Sequence, residues 1–218
     1  MAKTASGPVI PSGYVTNGLV FFLDALQGIN GSTWTDIAGQ KAFTLTDCVN
    51  SGNGIVFNGT SSKGVYNGSI SSDWNNETIE AAISSSVKTT KDILCQPFQN
   101  ASVGISLRLV RVNDNYQAAG TNLNASENSF FYFSHGSKLI SVNRDRCVAN
   151  KEQKTATSLA TPSKVVTTTI GSRSTSAGSY SSYFNGTIYA IRIYNRKLTV
   201  DEMKQNQQAD IDRYGITI

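Results

Sequence analysis

Short apolar runs separated by turn residues are the feature that most constrains the fold of this sequence. In residues 103–109 the apolar side chains occupy every second position, with Ser106 and Arg108 among the residues between them. This period of two is typical of a strand with one buried face. Runs of this kind recur along the chain, and no long helical pattern occurs before residue 199. The sequence therefore predicts an all-β fold of two packed antiparallel sheets.

The turn residues between these runs predict tight hairpins. Asn-Gly pairs tolerate positive φ at both residues, and examples occur at Asn17, Asn30, Asn58, Asn67 and Asn185. Several of these asparagines also begin Asn-x-Ser/Thr sequons, as do Asn76, Asn100 and Asn124. Because no apolar leader precedes them, we interpret the sequons as turns rather than as glycosylation sites.

Size and composition favour one folded unit with a sizeable core. The chain has 218 residues, of which 39% are hydrophobic and 16% are charged, and single β-sandwiches commonly reach about 200–250 residues. Residues 1–13 combine prolines with small residues and show no periodicity. We therefore predict a flexible N-terminal arm over residues 1–13 and one domain over residues 14–218.

One short helix is expected near the C-terminus. Thr199 is placed to cap it, and Glu202, three residues later, is placed to close a capping box. Apolar residues with a roughly helical period then predict a face that docks on the sandwich, formed by Val200, Met203, Ile211 and Tyr214.

The charge and cysteine patterns narrow the classes of partner. The net charge of +4 comes from scattered Lys and Arg, which does not favour nucleic acid, and no stretch of the sequence is apolar enough to span a membrane. Cys48, Cys95 and Cys147 lie far apart and form no CxxC motif. They are predicted to be buried thiols rather than a disulfide or a metal site.

Several segments resemble, in order, the laminin-G-like and concanavalin A-like jelly-roll family. The similar segments are GLVFFLDA at 18–25, WTDIAG at 34–39, GIVFNG at 54–59, TIEA at 78–81 and FNGTIYAIRIYNRKLT at 184–199. The resemblance implies a two-sheet antiparallel jelly-roll sandwich with one short C-terminal helix, and it places Trp34 in the core. It implies a fold more firmly than a function, because jelly rolls host lectins, hydrolases and structural modules.

The sequence lacks the catalytic motifs of related folds, and we therefore expect that the chain is not an enzyme. Related jelly-roll glucanases carry their acids as an E-x-D-x-x-E strand, and this string does not occur here. The nearest acidic groups, Asp201-Glu202 and Asp210-Ile211-Asp212, fall on the predicted helix. The single histidine, His135, lies in a predicted hairpin turn, and no neighbouring nucleophile is singled out.

Calcium is the one cofactor that the resemblance implies, since some relatives hold it with oxygen ligands at the sandwich rim. Asp24, Asp36 and Asp114 are the candidate ligands because they fall at strand ends or turns and hard cations prefer oxygen ligands. Asx turns explain the same residues and are the favoured alternative.

Carbohydrate recognition is the binding function that the resemblance implies most often. It requires an aromatic ring beside planar hydrogen-bonding groups, and an aromatic ring packed within the domain is the alternative explanation at each position. The candidate glycan-binding residues are Trp74, Asn75, Asn113, Tyr116, Tyr180 and Tyr183.

Together these patterns predict a virion appendage or decoration protein of a phage or prophage, on the head or the tail. Laminin-G-like modules are frequent in phage appendages, and the missing leader favours synthesis in the host cytosol over export. The arm would attach the domain to virion proteins, and linked copies, including a homo-oligomer, would raise the avidity of a weak site for cell-surface glycan. A secreted or surface bacterial carbohydrate-binding module is the alternative, and decoration without a ligand is a third.

Overall fold

The computed structural model describes ten stretches of the chain. They are residues 9–70, 76–85, 91–97, 104–109, 115–118, 131–134, 138–143, 145–154, 167–174 and 179–218. The predicted turn at His135 lies outside them. So does the first part of the predicted arm, residues 1–8.

The described residues form nineteen strands and one helix. In chain order they are β1 Leu19–Asp24, β2 Ile29–Asn30, β3 Thr33–Thr35, β4 Ala42–Thr46, β5 Val49–Asn50, β6 Ile55–Asn58, β7 Lys63–Tyr66, β8 Thr78–Ser84, β9 Lys91–Pro97, β10 Gly104–Leu109, β11 Asn115–Ala118, β12 Phe131–Ser134, β13 Leu139–Asn143, β14 Cys147–Ala149, β15 Glu152–Lys154, β16 Thr168–Ile170, β17 Arg173–Ser174, β18 Tyr180–Ser181, β19 Asn185–Tyr194 and α1 Val200–Tyr214.

Two large antiparallel sheets make up the sandwich. The eight-stranded sheet has the order β15-β14-β13-β8-β19-β6-β5, with β1 also paired to β19, and the seven-stranded sheet has the order β10-β9-β16-β7-β4-β3-β2. Strand β19 joins two other strands along one edge in the eight-stranded sheet, because Asn185–Ile188 pair with β6 and Ala190–Tyr194 pair with β1. Two small hairpins, β11–β12 and β17–β18, complete the described strands. The predicted all-β sandwich with one C-terminal helix is confirmed.

The main core lies between the two sheets. Phe21 and Leu23 of β1 meet Trp34 and Phe43 of the seven-stranded sheet, and all four side chains are fully buried. The Trp34 indole Nε1–H donates a hydrogen bond to the carbonyl oxygen of Asp24 at 3.1 Å, so its one polar group is satisfied on burial. The prediction that Trp34 belongs to the core is confirmed.

Helix α1 covers the outer face of the eight-stranded sheet. Phe22 points away from the main core and packs with Leu139, Ala190 and Tyr214 in a second apolar cluster. Strand β1 is therefore buried on both faces, which explains why its sequence is an uninterrupted apolar run. The capping box predicted from Thr199 and Glu202 is present, with Glu202 N–H donating to Thr199 Oγ1 at 3.2 Å and Thr199 N–H to Glu202 Oε2 at 2.9 Å.

The described part of the predicted arm is hydrogen-bonded to α1 and to the turn that follows β1. Gln205 Nε2 of α1 donates to the Gly13 carbonyl oxygen at 2.9 Å, and Gln27 Nε2 donates to the Val9 carbonyl oxygen at 3.3 Å. The division of the chain at residue 13 stays a prediction. Among the described residues, no helix has the length and apolar character needed to cross a membrane.

The structure describes all three cysteines. Cys95 and Cys147 are buried, Cys48 is half-buried, and each is present as a thiol, as predicted.

At the end of β16 the chain turns at Gly171 with φ of 68°, where a Cβ atom would lie 2.1 Å from the Phe57 ring. Only glycine fits this turn, because both the backbone conformation and the space exclude a side chain.

Candidate functional site

The structure describes two of the predicted glycan-binding side chains. Tyr180 and Tyr183 are both half-buried and lie on either side of Ser182, whose φ is 51°. Tyr116 lies on β11, opposite Phe133 of β12, and is described through its backbone. The remaining candidates, Trp74, Asn75 and Asn113, lie outside the described residues.

The Tyr180 ring stands beside a lysine of the seven-stranded sheet. Tyr180 is held on β18 by pairing with Ser174 of β17. Lys63 begins β7, and its Nζ lies 4.9 Å from the centroid of the Tyr180 ring. An ammonium group at this distance is attracted to the face of an aromatic ring. Strand pairing thus places a cation and an aromatic ring side by side, a juxtaposition that the sequence alone did not predict.

A hydroxyl-rich turn leads directly into Lys63. Asn58 Oδ1 accepts the backbone N–H groups of Thr60, Ser61 and Ser62 at 2.9 to 3.0 Å. This Asx-type turn fixes the backbone and leaves Thr60 exposed. The predicted Asn-Gly turn at Asn58 is therefore present, and its Thr60 and Ser61 hydroxyl groups, each hydrogen-bonded to the Asn58 side chain, precede Lys63 in the chain.

These features share one end of the sandwich because β6 and β19 pair there. Asn58 is the register partner of Asn185, and the Asn185 carbonyl oxygen accepts the Ser85 hydroxyl at 2.6 Å. We call this end the rim patch. It comprises Thr60 and Ser61 of the turn, Lys63 and Tyr180, which are in contact, and Tyr183, which precedes Asn185 by two residues along the chain.

The first predicted calcium ligand, Asp24, is engaged by the protein itself. Its Oδ1 accepts hydrogen bonds from Leu26 N–H at 2.9 Å and from the Tyr214 hydroxyl at 2.8 Å, and its Oδ2 accepts one from Arg213 Nη2 at 2.5 Å. The bond to Leu26 is that of an Asx turn. The carboxylate is fully buried and its charge is compensated by Arg213.

The second predicted ligand, Asp36, closes a turn between β3 and β4. Its Oδ1 accepts the N–H groups of Phe22 and Ala38 at 2.8 Å and of Gly39 at 2.9 Å. For both described aspartates, turn or ion-pair contacts within the protein engage the carboxylate oxygens, and a role as calcium ligands stays a prediction. Asp114 lies outside the described residues, and among the described ones no three His, Cys, Asp or Glu side chains are grouped to hold a metal ion.

Sequence reasoning missed a charged cluster buried between the sheet and the helix. Arg192 of β19 faces Glu80 of β8 across the strand pair, with Nε 2.9 Å from Glu80 Oε2. The other two guanidinium nitrogens donate to both oxygens of Asp210 on α1 at 2.6 Å. All three side chains are 1% exposed. We call these residues the sheet–helix cluster.

Polar groups of the N-terminal segment and of α1 extend the sheet–helix cluster. The Tyr14 hydroxyl donates to Asp210 Oδ1 at 2.9 Å, and Asn206 Nδ2 donates to Glu80 Oε2 at 2.9 Å. Asn206 Oδ1 accepts Val15 N–H at 2.8 Å. Burial raises the pKa of the Tyr14 hydroxyl and of Glu80. The cluster ties three separate parts of the chain together away from solvent, so we assign it to stability rather than to ligand contact.

A shallow groove on the helix side is a second surface that could receive a ligand. It has a volume of about 390 Å³ and is lined by Pro11, Ser12, Gly13, Ala209, Asp212 and Arg213. None of these lining residues is aromatic. The groove lacks the ring that sugar stacking requires, and the rim patch has one.

The fold and the rim patch define a β-sandwich domain with a mixed aromatic, cationic and hydroxyl surface at one end. No protein-family model and no curated protein sequence matches the chain. Solved structures do match. Trypanosoma rangeli sialidase in complex with sialic acid has 19% identity and a TM-score of 0.63 over 93% of this chain and 35% of its own. The botulinum neurotoxin serotype D binding domain has 13% identity and a TM-score of 0.64 over 89% of this chain and 52% of its own.

These structures share a fold with the chain, and at such identities the likeness extends to the fold alone. The expectation that the chain is not an enzyme is contradicted, because sialidases are enzymes and a covalent-intermediate complex of one matches with a TM-score of 0.61. The chain spans about a third of the sialidase chains, 35% in each complex named here, and about half of the toxin binding domain, 52%. The laminin-G-like resemblance is supported at the level of a β-sandwich.

Proposed function

We propose that the chain is a carbohydrate-binding β-sandwich domain and that the rim patch is its binding surface. The observation that carries the proposal is the Tyr180 ring with the Lys63 ammonium group at 4.9 Å, beside the hydroxyl-bearing turn at Thr60. Sugars present C–H faces to aromatic rings and hydroxyl groups to polar side chains. The patch offers both kinds of contact within one surface.

The solved structures add support at the level of fold. One is a sialidase in complex with sialic acid, and another is the binding domain of a neurotoxin. A fold that recurs in a sialic acid complex and in a toxin binding domain raises the expectation for a related sandwich, although function resides in the site rather than in the fold. The rim patch is therefore the part of the proposal that needs a direct test.

For the particle that carries the domain, our proposal is a phage or prophage virion, with a secreted or surface carbohydrate-binding module as the alternative. It rests on the sequence resemblance to laminin-G-like modules, and none of the matching proteins named above comes from a phage. Mass spectrometry of purified particles tests it. Detection in particles in a fixed ratio to capsid or tail proteins is the expected result, and absence from the particles overturns it.

A glycan array probed with the multimerised domain tests carbohydrate binding, because linked copies raise the avidity of a weak site. Binding is expected to a defined group of glycans. The array is repeated with EDTA, and loss of binding would reveal a cation requirement. If the folded, multimerised domain binds no glycan in either condition, the proposal is wrong.

Variants then locate the site. Tyr180→Ala should lower affinity for the best glycan about tenfold, since a base stacked on an aromatic side chain is worth on the order of 1–3 kcal/mol and we expect a comparable contribution from a sugar face. Tyr180→Phe should retain most of the affinity. Lys63→Ala should weaken binding, and Lys204→Ala, an exposed helix lysine, is the matched control. Equal affinities for wild type and Tyr180→Ala would move the site away from the rim patch.

A further inference from the structure

The sheet–helix cluster contains one more acidic group than basic groups. Arg192 is the single cation, and Glu80 and Asp210 are both within hydrogen-bond distance of it. If both carboxyl groups were ionised, the cluster would hold an uncompensated negative charge at 1% exposure. An uncompensated charge in the protein interior is strongly unfavourable, and a buried group avoids it by changing its protonation state.

The hydrogen bonds show which carboxyl group is the candidate to be neutral. Both oxygens of Asp210 accept from Arg192, and Oδ1 also accepts the Tyr14 hydroxyl. Glu80 accepts on Oε2 from Arg192 Nε and Asn206 Nδ2, each at 2.9 Å, and the hydroxyl of Ser141, its register partner on β13, lies beside the carboxyl group. Its Oε1 is buried without a hydrogen-bond partner. A bare carboxylate oxygen without a donor is costly, whereas the O–H of a carboxylic acid removes the charge from that side.

We infer that Glu80 is a neutral carboxylic acid in the folded domain, so that the sheet–helix cluster carries no net charge, and that loss of its proton weakens the docking of α1 on the eight-stranded sheet. Deprotonation would place a second negative charge beside Asp210, between the strand and the helix that Arg192 joins. The cluster would then act as a pH-sensitive contact built into the fold.

Polar and charged groups face Glu80 from the sheet, the helix and the N-terminal segment. These groups are Ser141 of β13, Arg192 and Tyr194 of β19, Asn206, Gln207 and Asp210 of α1, and Tyr14 of the N-terminal segment. Further along α1 are Arg213 and Tyr214, which both bond Asp24 of β1. Arg213 is already compensated by Asp24 at 2.5 Å. No second free cation faces Glu80 among these described groups.

The expected pKa shift agrees in direction with this geometry. Burial is the largest influence and raises the pKa of Glu80; the charge of Asp210 raises it further, whereas the charge and hydrogen bond of Arg192 and the hydroxyl of Ser141 lower it. A group whose pKa is higher in the folded than in the unfolded chain stabilises the fold at low pH. That stabilisation is fully present below the ordinary glutamate pKa of about 4.3 and is lost as pH rises through the pKa of the folded state.

Two measurements test the inference. The first follows the Glu80 carboxyl carbon by NMR in the wild-type domain. The chemical shift of a neutral acid at pH 7 is expected, and the shift of an ionised carboxylate at pH 7 would overturn the inference. This measurement needs no variant, so it decides the protonation state even if substitutions at this position fail to fold.

The second compares urea unfolding of wild type, Glu80→Gln and the exposed control Asp212→Asn from pH 4 to pH 9. Glutamine mimics the neutral acid, so its stability should lack the Glu80 proton dependence. Relative to Glu80→Gln, the wild-type unfolding constant should rise up to tenfold per pH unit between the unfolded and folded pKa values. If the stability of wild type and of Glu80→Gln changes with pH in the same way, the inference is overturned. It is also overturned if Asp212→Asn departs from wild type as much as Glu80→Gln does.

Discussion

Truncating Asp210 should destabilise the domain far more than truncating its neighbour Asp212. Asp210→Ala removes two hydrogen bonds of 2.6 Å to Arg192 and one of 2.9 Å from Tyr14. It leaves the guanidinium at 1% exposure with one remaining carboxyl partner, Glu80. Asp212 is exposed and bonds only Gln208 among the described residues, so Asp212→Ala tests the same substitution on the same helix without the buried contacts.

The magnitude follows from the cost of leaving a buried charge without its partner. Breaking one side of a buried ion pair costs about 3–5 kcal/mol. Because Glu80 still bonds Arg192 Nε and can ionise once Asp210 is gone, we expect about 3 kcal/mol, the lower end of that range. For Asp212→Ala we expect a change within about 0.5 kcal/mol.

Urea denaturation followed by circular dichroism measures both values at pH 7. The free energy of unfolding is extrapolated to zero denaturant, with the slope compared between variants to verify that the same surface is exposed. A loss below about 1 kcal/mol for Asp210→Ala, a typical value for an ordinary substitution, would refute the view that the cluster holds the helix on the sheet. Equal losses for both variants would refute it as well.

Three further predictions concern groups outside the cluster. Thr199→Ala removes the helix cap and should cost about 1 kcal/mol in urea unfolding, whereas Thr199→Ser should cost much less. The hydrogen bonds from Arg196 lower the pKa of Glu202 to about 2. The contribution of Glu202 to stability should therefore be present above the ordinary glutamate pKa and should fade as pH falls towards 2. In thermal melts, Glu202→Gln should lose less stability than wild type on acidification. Burial raises the pKa of the Cys48 thiol to about 11, so alkylation followed by mass spectrometry should be slow at pH 7 and accelerate at higher pH, and rapid labelling of the folded domain at pH 7 would contradict this.

Local features of the fold could be predicted from sequence because they depend on neighbouring residues. The capping box at Thr199 and Glu202 and the Asn-Gly turn at Asn58 are set by residues two to four positions apart. The burial of Trp34 followed from a segment that resembles a known strand and turn. Such short-range patterns remain informative without knowledge of the tertiary packing.

The sheet–helix cluster could not be predicted in the same way. Arg192 is 112 residues from Glu80, and their pairing depends on the register of β8 against β19. The alternation of side chains along β8 predicts that Glu80 lies on the face of the strand that points away from the main core. It does not show that α1 covers that face. Asp210 was accordingly interpreted as an ordinary helix acid, and the structure buries it.

The expectation about catalysis was wrong for a different reason. It rested on the absence of an E-x-D-x-x-E strand and of a nucleophile beside His135. One family's acid spacing does not exhaust the chemistry found with a fold, since unrelated sites are placed on the same scaffold. The rim patch shows a related limit, because the proximity of Lys63 to Tyr180 depends on contacts between distant strands.

Chemical-shift mapping with the glycan that binds most strongly in the array is the most direct test of the rim patch. The ¹H–¹⁵N spectrum of the domain is recorded during titration, with assigned signals for both the rim patch and the groove beside α1. The largest shifts are expected at residues 60–63 and 180–183, and Tyr180→Ala should abolish them. Largest shifts at Ser12 and Arg213, or saturable binding that leaves the rim signals unchanged, would contradict carbohydrate recognition by the rim patch.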